Sequence, residues 1–185
     1  MNTPSGRLIR EDSLLVVVDV QEKLLPAIHN AAGILHNVIR MVQVAQELQV
    51  PILVTEQYPR GLGATVAELK NFLNDVPVYE KNTFSCFGGA DFLKALQSLK
   101  RRQLVLTGIE THICVGQTAL EALERGYSVH VIHDAAGSRT ETDKQLALAR
   151  IRDAGGVVSG VEMAVYEWLG AAGSAAFKAI LPLIK

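Results

Sequence analysis

Only two cysteines, Cys86 and Cys114, occur in the 185 residues. That number is too small for a disulfide framework, and two thiols make a structural zinc site only with help from histidine. An excess of charge of one sign is missing too. The 18 Lys and Arg set against 19 Asp and Glu leave a net charge of −1, which exerts no global pull toward nucleic acid or anionic membrane. The one tight basic cluster, Lys100-Arg101-Arg102, falls between a helix pattern and a strand pattern and reads as a solvated loop. No apolar run is long enough to cross a bilayer. Met1 to Glu11 is polar and lacks the apolar stretch of a signal peptide. Internal repeats, low-complexity tracts and linkers are absent as well. What these absences leave is a single domain over residues 1–185, cytoplasmic, with a small-molecule partner and no nucleic acid or membrane.

What is present alternates. Nearly half the residues are apolar and 20% are charged, the balance of a globular chain with one core. Ser13 to Val20 (Ser-Leu-Leu-Val-Val-Val-Asp-Val) is apolar and β-branched in the manner of a strand buried on both faces. Ala32 to Leu48 carries Ile34, Leu35, Val38, Ile39, Val42, Ala45 and Leu48 at helical spacing. Short strands follow at Ile52 to Thr55 and Val76 to Glu80. Between them lie a Pro/Gly loop, Glu56 to Thr65, and a short helix, Val66 to Leu73. Ala90 to Leu99 is helical, Leu104 to Leu106 is a buried strand, and the helix after it stops at Gly126. Ser128 to Ile132 is a fifth strand with an exit loop from His133 to Arg139. Thr140, with Asp143 three residues on, caps a helix that runs to about Ala154. Val157 to Ser159 begins a sixth strand, and Val161 to Leu169 and Ala175 to Ile184 close the chain as helices. Strict alternation of two-sided strands with helices predicts a three-layer α/β/α domain around a parallel sheet with right-handed crossovers.

Parallel strands share one carboxyl edge, and open α/β sheets bind their ligands there. Three chemically active residues fall just past such ends: Asp19 after the first strand, Lys81 after the third and Cys114 after the fourth. Asp19 either caps the turn at Gln21-Glu22 or serves as a site acid, since a carboxylate in an apolar run needs partners. Cys114 is either an inert packing thiol or a nucleophile, because the first turn of a helix offers unpaired N–H groups and a positive dipole end that favour thiolate. As a set, the three residues form a coherent site in which Asp19 takes the thiol proton and Lys81 lowers the thiol pKa. His112 is a weaker base, because positions i and i+2 do not share a helix face, and reads as a pocket or packing residue. Cys86 reads as core and His130 as structural within its strand. Tyr58, Phe84 and Phe87 either wall an apolar pocket or are plain core. Gly61-Leu62-Gly63 is too short and wrongly placed for a dinucleotide fingerprint, and no cofactor is expected.

Several stretches together resemble the isochorismatase-like cysteine hydrolase superfamily, which contains nicotinamidases and carbamoyl-amide hydrolases. They are Val17-Val-Asp19-Val-Gln21, Lys81-Asn-Thr-Phe-Ser85, Gly108-Ile-Glu-Thr-His-Ile-Cys114-Val, Thr118-Ala-Leu-Glu-Ala122, Gly126-Tyr-Ser-Val129 and Asp134-Ala. Glu56-Gln-Tyr-Pro-Arg-Gly-Leu-Gly63 is most similar to the branch called isochorismatase domain-containing proteins. The resemblance implies six parallel strands in the order 3-2-1-4-5-6, which sets the first and fourth side by side. It implies a triad of Asp19, Lys81 and Cys114, and a cis peptide at Ile109-Glu110 that aims the N–H groups of Glu110 and Cys114 at an oxyanion. Gln21, Tyr58, Phe84 and His112 are the expected pocket residues. The implied chemistry is hydrolysis of a small amide or carbamoyl C–N bond through a thioester. Nicotinamidases of the superfamily hold a metal through an Asp and two His after the second strand. Glu56-Gln57-Tyr58-Pro59 has no histidine, so no metal is expected here. Isochorismatases proper lack the nucleophilic cysteine that this chain keeps. Two other classes stand beside the amidohydrolase: a binding or scaffold protein on the same fold, and a vinyl-ether hydrolase acting on isochorismate. Ala171 to Leu183 either packs on a second subunit, giving a homo-oligomer, or covers its own sheet.

Overall fold

In the computed structural model, which describes residues 6–184, the first strand, β1 (Ser13–Val18), is buried along its whole length. Readings that involve residues 1–5 and 185 lie outside the described residues. Side chains alternate across a strand. Leu14, Val16 and Val18 therefore enter one apolar layer while Leu15 and Val17 enter the other.

The remaining elements follow in order: α1 (Ala31–Glu47), β2 (Ile52–Gln57), the short α2 (Pro59–Leu62) and α3 (Ala67–Lys70), β3 (Val78–Lys81) and α4 (Ala90–Leu99). Then come β4 (Gln103–Ile109), a single π-helical turn (Thr111–Val115), α5 (Gly116–Glu124) and β5 (Ser128–Gly137). The chain ends with α6 (Glu141–Asp153), β6 (Val157–Ser159), α7 (Val161–Leu169) and α8 (Ala175–Ile184). The six strands form one sheet in the order β3-β2-β1-β4-β5-β6, and all five pairings are parallel. This is the expected three-layer α/β/α fold with strand order 3-2-1-4-5-6.

One layer is built from α1, α7 and α8, whose Val38, Met41, Val165, Trp168 and Ile180 join the apolar cluster on one face of the sheet. The other is built from α4, α5 and α6 through Phe92, Leu96, Ala119, Ala122, Leu148 and Ile151. Ile180 and Ile184 of α8 are buried in the α1 layer, and the Arg40 Nε–H donates to the Leu183 carbonyl at 2.7 Å. The carboxyl-terminal helix thus covers its own domain, the second of the two arrangements open for that segment. No helix of the described residues is long and apolar enough to cross a membrane.

Three local expectations shift. Strand three runs from Val78 to Lys81, so Lys81 is its last residue rather than the one beyond. Strand five continues to Gly137, where a loop was expected. Its later residues pair with β4 (Ala136 with Gly108, Gly137 with Ile109) across a register shift, and that pairing comes from the neighbouring strand rather than local propensity. The turn after β4 is π-helical before it becomes α5, which places Cys114 ahead of the regular helix. At the same junction Gly108 has φ +104°, and a Cβ there would overlap the Val18 carbonyl. Only glycine lets β4 approach the end of β1 this closely.

Candidate active site

Strand order decides what meets at the carboxyl edge. β1 lies between β2 and β4, with Val18 beside both Thr55 and Gly108, and Gln57 lies opposite Lys81. The ends of β1, β2 and β3 therefore deliver Asp19, Thr55, Gln57 and Lys81 to one small volume. Asp19 has φ 52°, a left-handed conformation in which a short polar residue is tolerated. Its N–H donates to the Thr55 carbonyl at 3.1 Å, and its own carbonyl accepts from the Gln21 N–H at 2.8 Å.

The Asp19 carboxylate is fully buried. One oxygen accepts from the Thr55 hydroxyl at 2.7 Å and the other from the Lys81 ammonium at 2.6 Å. Lys81 Nζ also donates to Gln57 Oε1 at 2.8 Å and faces the carbonyls of Phe84 at 3.1 Å and Thr83 at 3.3 Å. Three ammonium hydrogens thus meet four acceptors, which leaves none for a ligand. Burial is the largest single influence and works against the Lys81 charge; the Asp19 charge, the Cys86 and Cys114 sulfurs and the Asp19 hydrogen bond together outweigh it, so the amine is held above its usual range. Lys81 is a fixed cation whose geometry orients Asp19.

Cys114 is 6% exposed and feels the charges of both Asp19 and Lys81. Burial pushes its thiol up to about 12; the Asp19 charge adds to the rise and Lys81 opposes it. This reverses the expectation that Lys81 and the helix end hold the sulfur as thiolate. Desolvation and the Asp19 charge outweigh Lys81, so the resting group is a thiol beside a carboxylate. Cys86 is buried as well, with its sulfur 3.8 Å from the Thr55 hydroxyl, and burial followed by the Asp19 charge pushes it up to about 11.

The Ile109–Glu110 peptide is cis. Beyond it the Glu110 carbonyl accepts from the N–H groups of Ile113 and Val115 at 3.0 and 3.1 Å, closing the turn that carries Cys114. The Glu110 carboxylate receives both guanidinium arms of Arg139 at 2.9 Å.

The expected pocket residues scatter. Gln21 is buried; its amide donates to the carbonyls of Gln57 and Gly63 at 2.9 and 2.6 Å, and its Oε1 accepts from the Gln57 N–H at 2.7 Å. It organises the loop after β2. Tyr58 is exposed and, with Arg60, Lys81, Asn82 and Thr83, lines a cavity of about 450 Å³. The Phe84 ring is exposed while its carbonyl serves Lys81. His112 is held at Nδ1 by the Ser138 hydroxyl at 3.0 Å and lines a separate cavity of about 250 Å³ between α5 and α6, away from the acid–amine–thiol cluster. Among the described residues no group of three or more His, Cys, Asp or Glu side chains gathers as a metal site requires. Sequence reasoning missed Thr55, Gln57 and Arg139. Thr55 and Gln57 are two apart on β2, so period-two alternation at a strand end was a usable signal. Arg139 carried none.

A parallel α/β sheet with a buried acid and amine beside a thiol at its carboxyl edge defines a class of hydrolase-like site. The family model for the isochorismatase domain matches residues 13–163, and the chain belongs to the isochorismatase family, a superfamily of hydrolases. It is 40% identical over 184 residues to the secreted isochorismatase effector Isc1 of Phytophthora sojae, covering 97% of this chain and 88% of the relative. It is 38% identical over 180 residues to isochorismatase domain-containing protein 2 of Xenopus laevis, covering 97% and 86%. Among solved structures, one described as the MAR1 ribonuclease of Caenorhabditis elegans superposes with a TM-score of 0.91 at 36% identity, covering 96% of this chain and 92% of that one. The YcaC gene product of Escherichia coli, described as an octameric hydrolase of unknown specificity, also reaches 0.91, at 26% identity over 98% and 92% of the two chains.

Proposed function

We propose that this chain is a cysteine hydrolase that cleaves the C–N bond of a small amide or carbamoyl compound. The observation that carries the reading is the buried 2.6 Å Asp19–Lys81 pair next to the Cys114 thiol. As the sulfur attacks the carbonyl carbon, its proton passes to Asp19, and the N–H groups of Glu110 and Cys114 receive the oxyanion. Asp19 returns that proton to the leaving nitrogen as the C–N bond breaks, which leaves a thioester. Water then gives a proton to Asp19 and adds to the thioester. The C–S bond breaks, and the thiolate recovers the proton from Asp19. Because the resting thiol is pushed up to about 12, proton removal belongs to the step in which substrate is attacked. Lys81 stays charged throughout and holds the acid in place.

The test is release of ammonia or amine from a panel of small primary amides and carbamoyl compounds. Cys114→Ala is expected to abolish turnover with the fold intact by circular dichroism. A fully active Cys114→Ala protein sinks the mechanism.

A second reading, hydrolysis of a vinyl ether such as isochorismate, is favoured by the name of the 40% identical relative. Isochorismate turnover that survives Cys114→Ala selects it. A small molecule is the proposed partner on the net charge of −1, and the relative described as a ribonuclease makes RNA cleavage the direct counter-assay. A homo-oligomer is proposed from the octameric relative and from the exposed Leu146, Met163 and Tyr166 on α6 and α7; light scattering reads the mass. A reducing, cytoplasmic location is supported by the two free thiols, and cell fractionation checks it.

A further inference from the structure

The Glu110 side chain is an unusual object for the edge of an oxyanion site. Its carboxylate is 7% exposed, whereas its partner, the Arg139 side chain, is 60% exposed. Both of its oxygens accept from Arg139, at 2.9 Å each, and no other hydrogen bond to this carboxylate is found among the described residues. A carboxylate so far out of water stays there only while it is paired. A half-exposed arginine pair adds little to stability through Coulomb attraction alone. What the two-armed geometry supplies is direction.

The same junction grips the turn twice. Arg139 follows Ser138, whose hydroxyl holds His112 at 3.0 Å, and precedes Thr140, the N-cap of α6. Glu110 is thus tied at its carbonyl by Ile113 and Val115 and at its side chain by Arg139. Both anchors hold the Glu110 Cα, to which the N–H is attached.

We propose that Arg139 is a positioning residue: by holding both oxygens of Glu110 it aims the Glu110 N–H at the developing oxyanion. The inference rests on the cysteine hydrolase reading above. Without Arg139 the carboxylate swings toward water and carries its backbone with it. Deleting an oxyanion donor costs about 10²–10³ in rate; displacing one costs less, on the order of tenfold.

The test needs no natural substrate. Iodoacetamide alkylates Cys114 by displacing iodide from a saturated carbon, and no charge develops on its carbonyl oxygen. Acrylamide adds the sulfur to its terminal carbon, and the electron pair of the C=C bond moves to the carbonyl oxygen as an enolate, until the α carbon takes a proton. Only the second reaction draws on the oxyanion donors. Peptide mapping by mass spectrometry follows each reaction at Cys114 in the full chain. Arg139→Ala is expected to slow acrylamide addition about tenfold more than iodoacetamide alkylation. Arg139→Lys, which keeps the charge and one arm, recovers part of the difference. Parallel changes with both reagents, or no change, overturn the proposal. Asp19→Asn separates the two levels of the argument. If it changes the rate with both reagents while Arg139→Ala leaves their ratio untouched, only the positioning role falls. If Asp19→Asn affects neither reagent, the hydrolase reading falls and takes this inference with it.

Discussion

At the carboxyl edge of β1–β3 the Asp19 carboxylate and the Lys81 ammonium are buried together, and the ammonium is fully hydrogen-bonded. Two strands away, His130 is as deeply buried in β5, between Val105 and Val157, and among the described residues neither of its ring nitrogens finds a partner. Each member of the pair supplies what the other lost by leaving water, and the amine is held above its usual range. The lone imidazole gives up its charge instead; burial pushes it down to about 4. The contrast separates a polar group built into a site from one that the fold merely tolerates.

Breaking the pair should have the largest effect. Lys81→Met leaves a buried carboxylate without its cation, which costs about 3–5 kcal/mol, and turnover should vanish. Adding Asp19→Asn removes the stranded charge, so the double variant is expected to be more stable than Lys81→Met in urea unfolding. Additive losses would show that the two groups are not coupled.

The histidine predicts an acid limb. The unfolded chain protonates His130 near pH ~6.5, whereas the folded chain keeps it neutral to about 4. Between those values the unfolded state binds more protons, so stability is present above pH ~6.5 and is lost as pH falls, by roughly 3 kcal/mol in full. His130→Leu should flatten this limb and leave stability at pH 7 equal or higher, because an orphaned polar group is removed. An unchanged limb in that variant, measured by urea unfolding at several pH values, would move the acid sensitivity to another group.

Gln57 sharpens the comparison from the paired side. Gln57→Leu withdraws one acceptor from Lys81 and is expected to destabilise by about 1–2 kcal/mol, with a fall in kcat larger than any change in KM. An unchanged kcat would mean that the remaining three acceptors hold the ammonium unaided. The smallest effect belongs far from both regions. Thr140 Oγ1 accepts from the Asp143 N–H at 3.1 Å, and Thr140→Ala should lower stability by about 1 kcal/mol without changing either the acid limb or the reactivity of Cys114.

Much of the site was legible before any coordinates. Asp19 stood out as an acid in a run otherwise made of Leu and Val, and burial without a partner is costly enough to make such a residue conspicuous. Lys81 and Cys114 were visible because parallel strands share an edge. The protonation state of Cys114 was misread, since the helix end is a local feature and desolvation is not. Thr55 closes the expected second strand and Gln57 falls in the expected loop; they become partners of Asp19 and Lys81 only once β2 lies between β1 and β3. Arg139 and Glu110 are separated by 29 positions and meet because β4 and β5 are neighbours.

By itself the sequence determined the kinds and order of the elements, through two-sided apolar strands and 3.6-residue helix stripes, and it named the reactive groups. Both are properties of short stretches, set by periodicity and residue chemistry. Tertiary structure alone decided which strand ends adjoin, that the acid and amine are buried as a pair, that burial disfavours the charged forms of the Cys114 thiol and His130, and that an exposed arginine grips the residue before the turn that carries Cys114. These depend on distance to water and to partners brought in from elsewhere in the chain, and no local pattern records them.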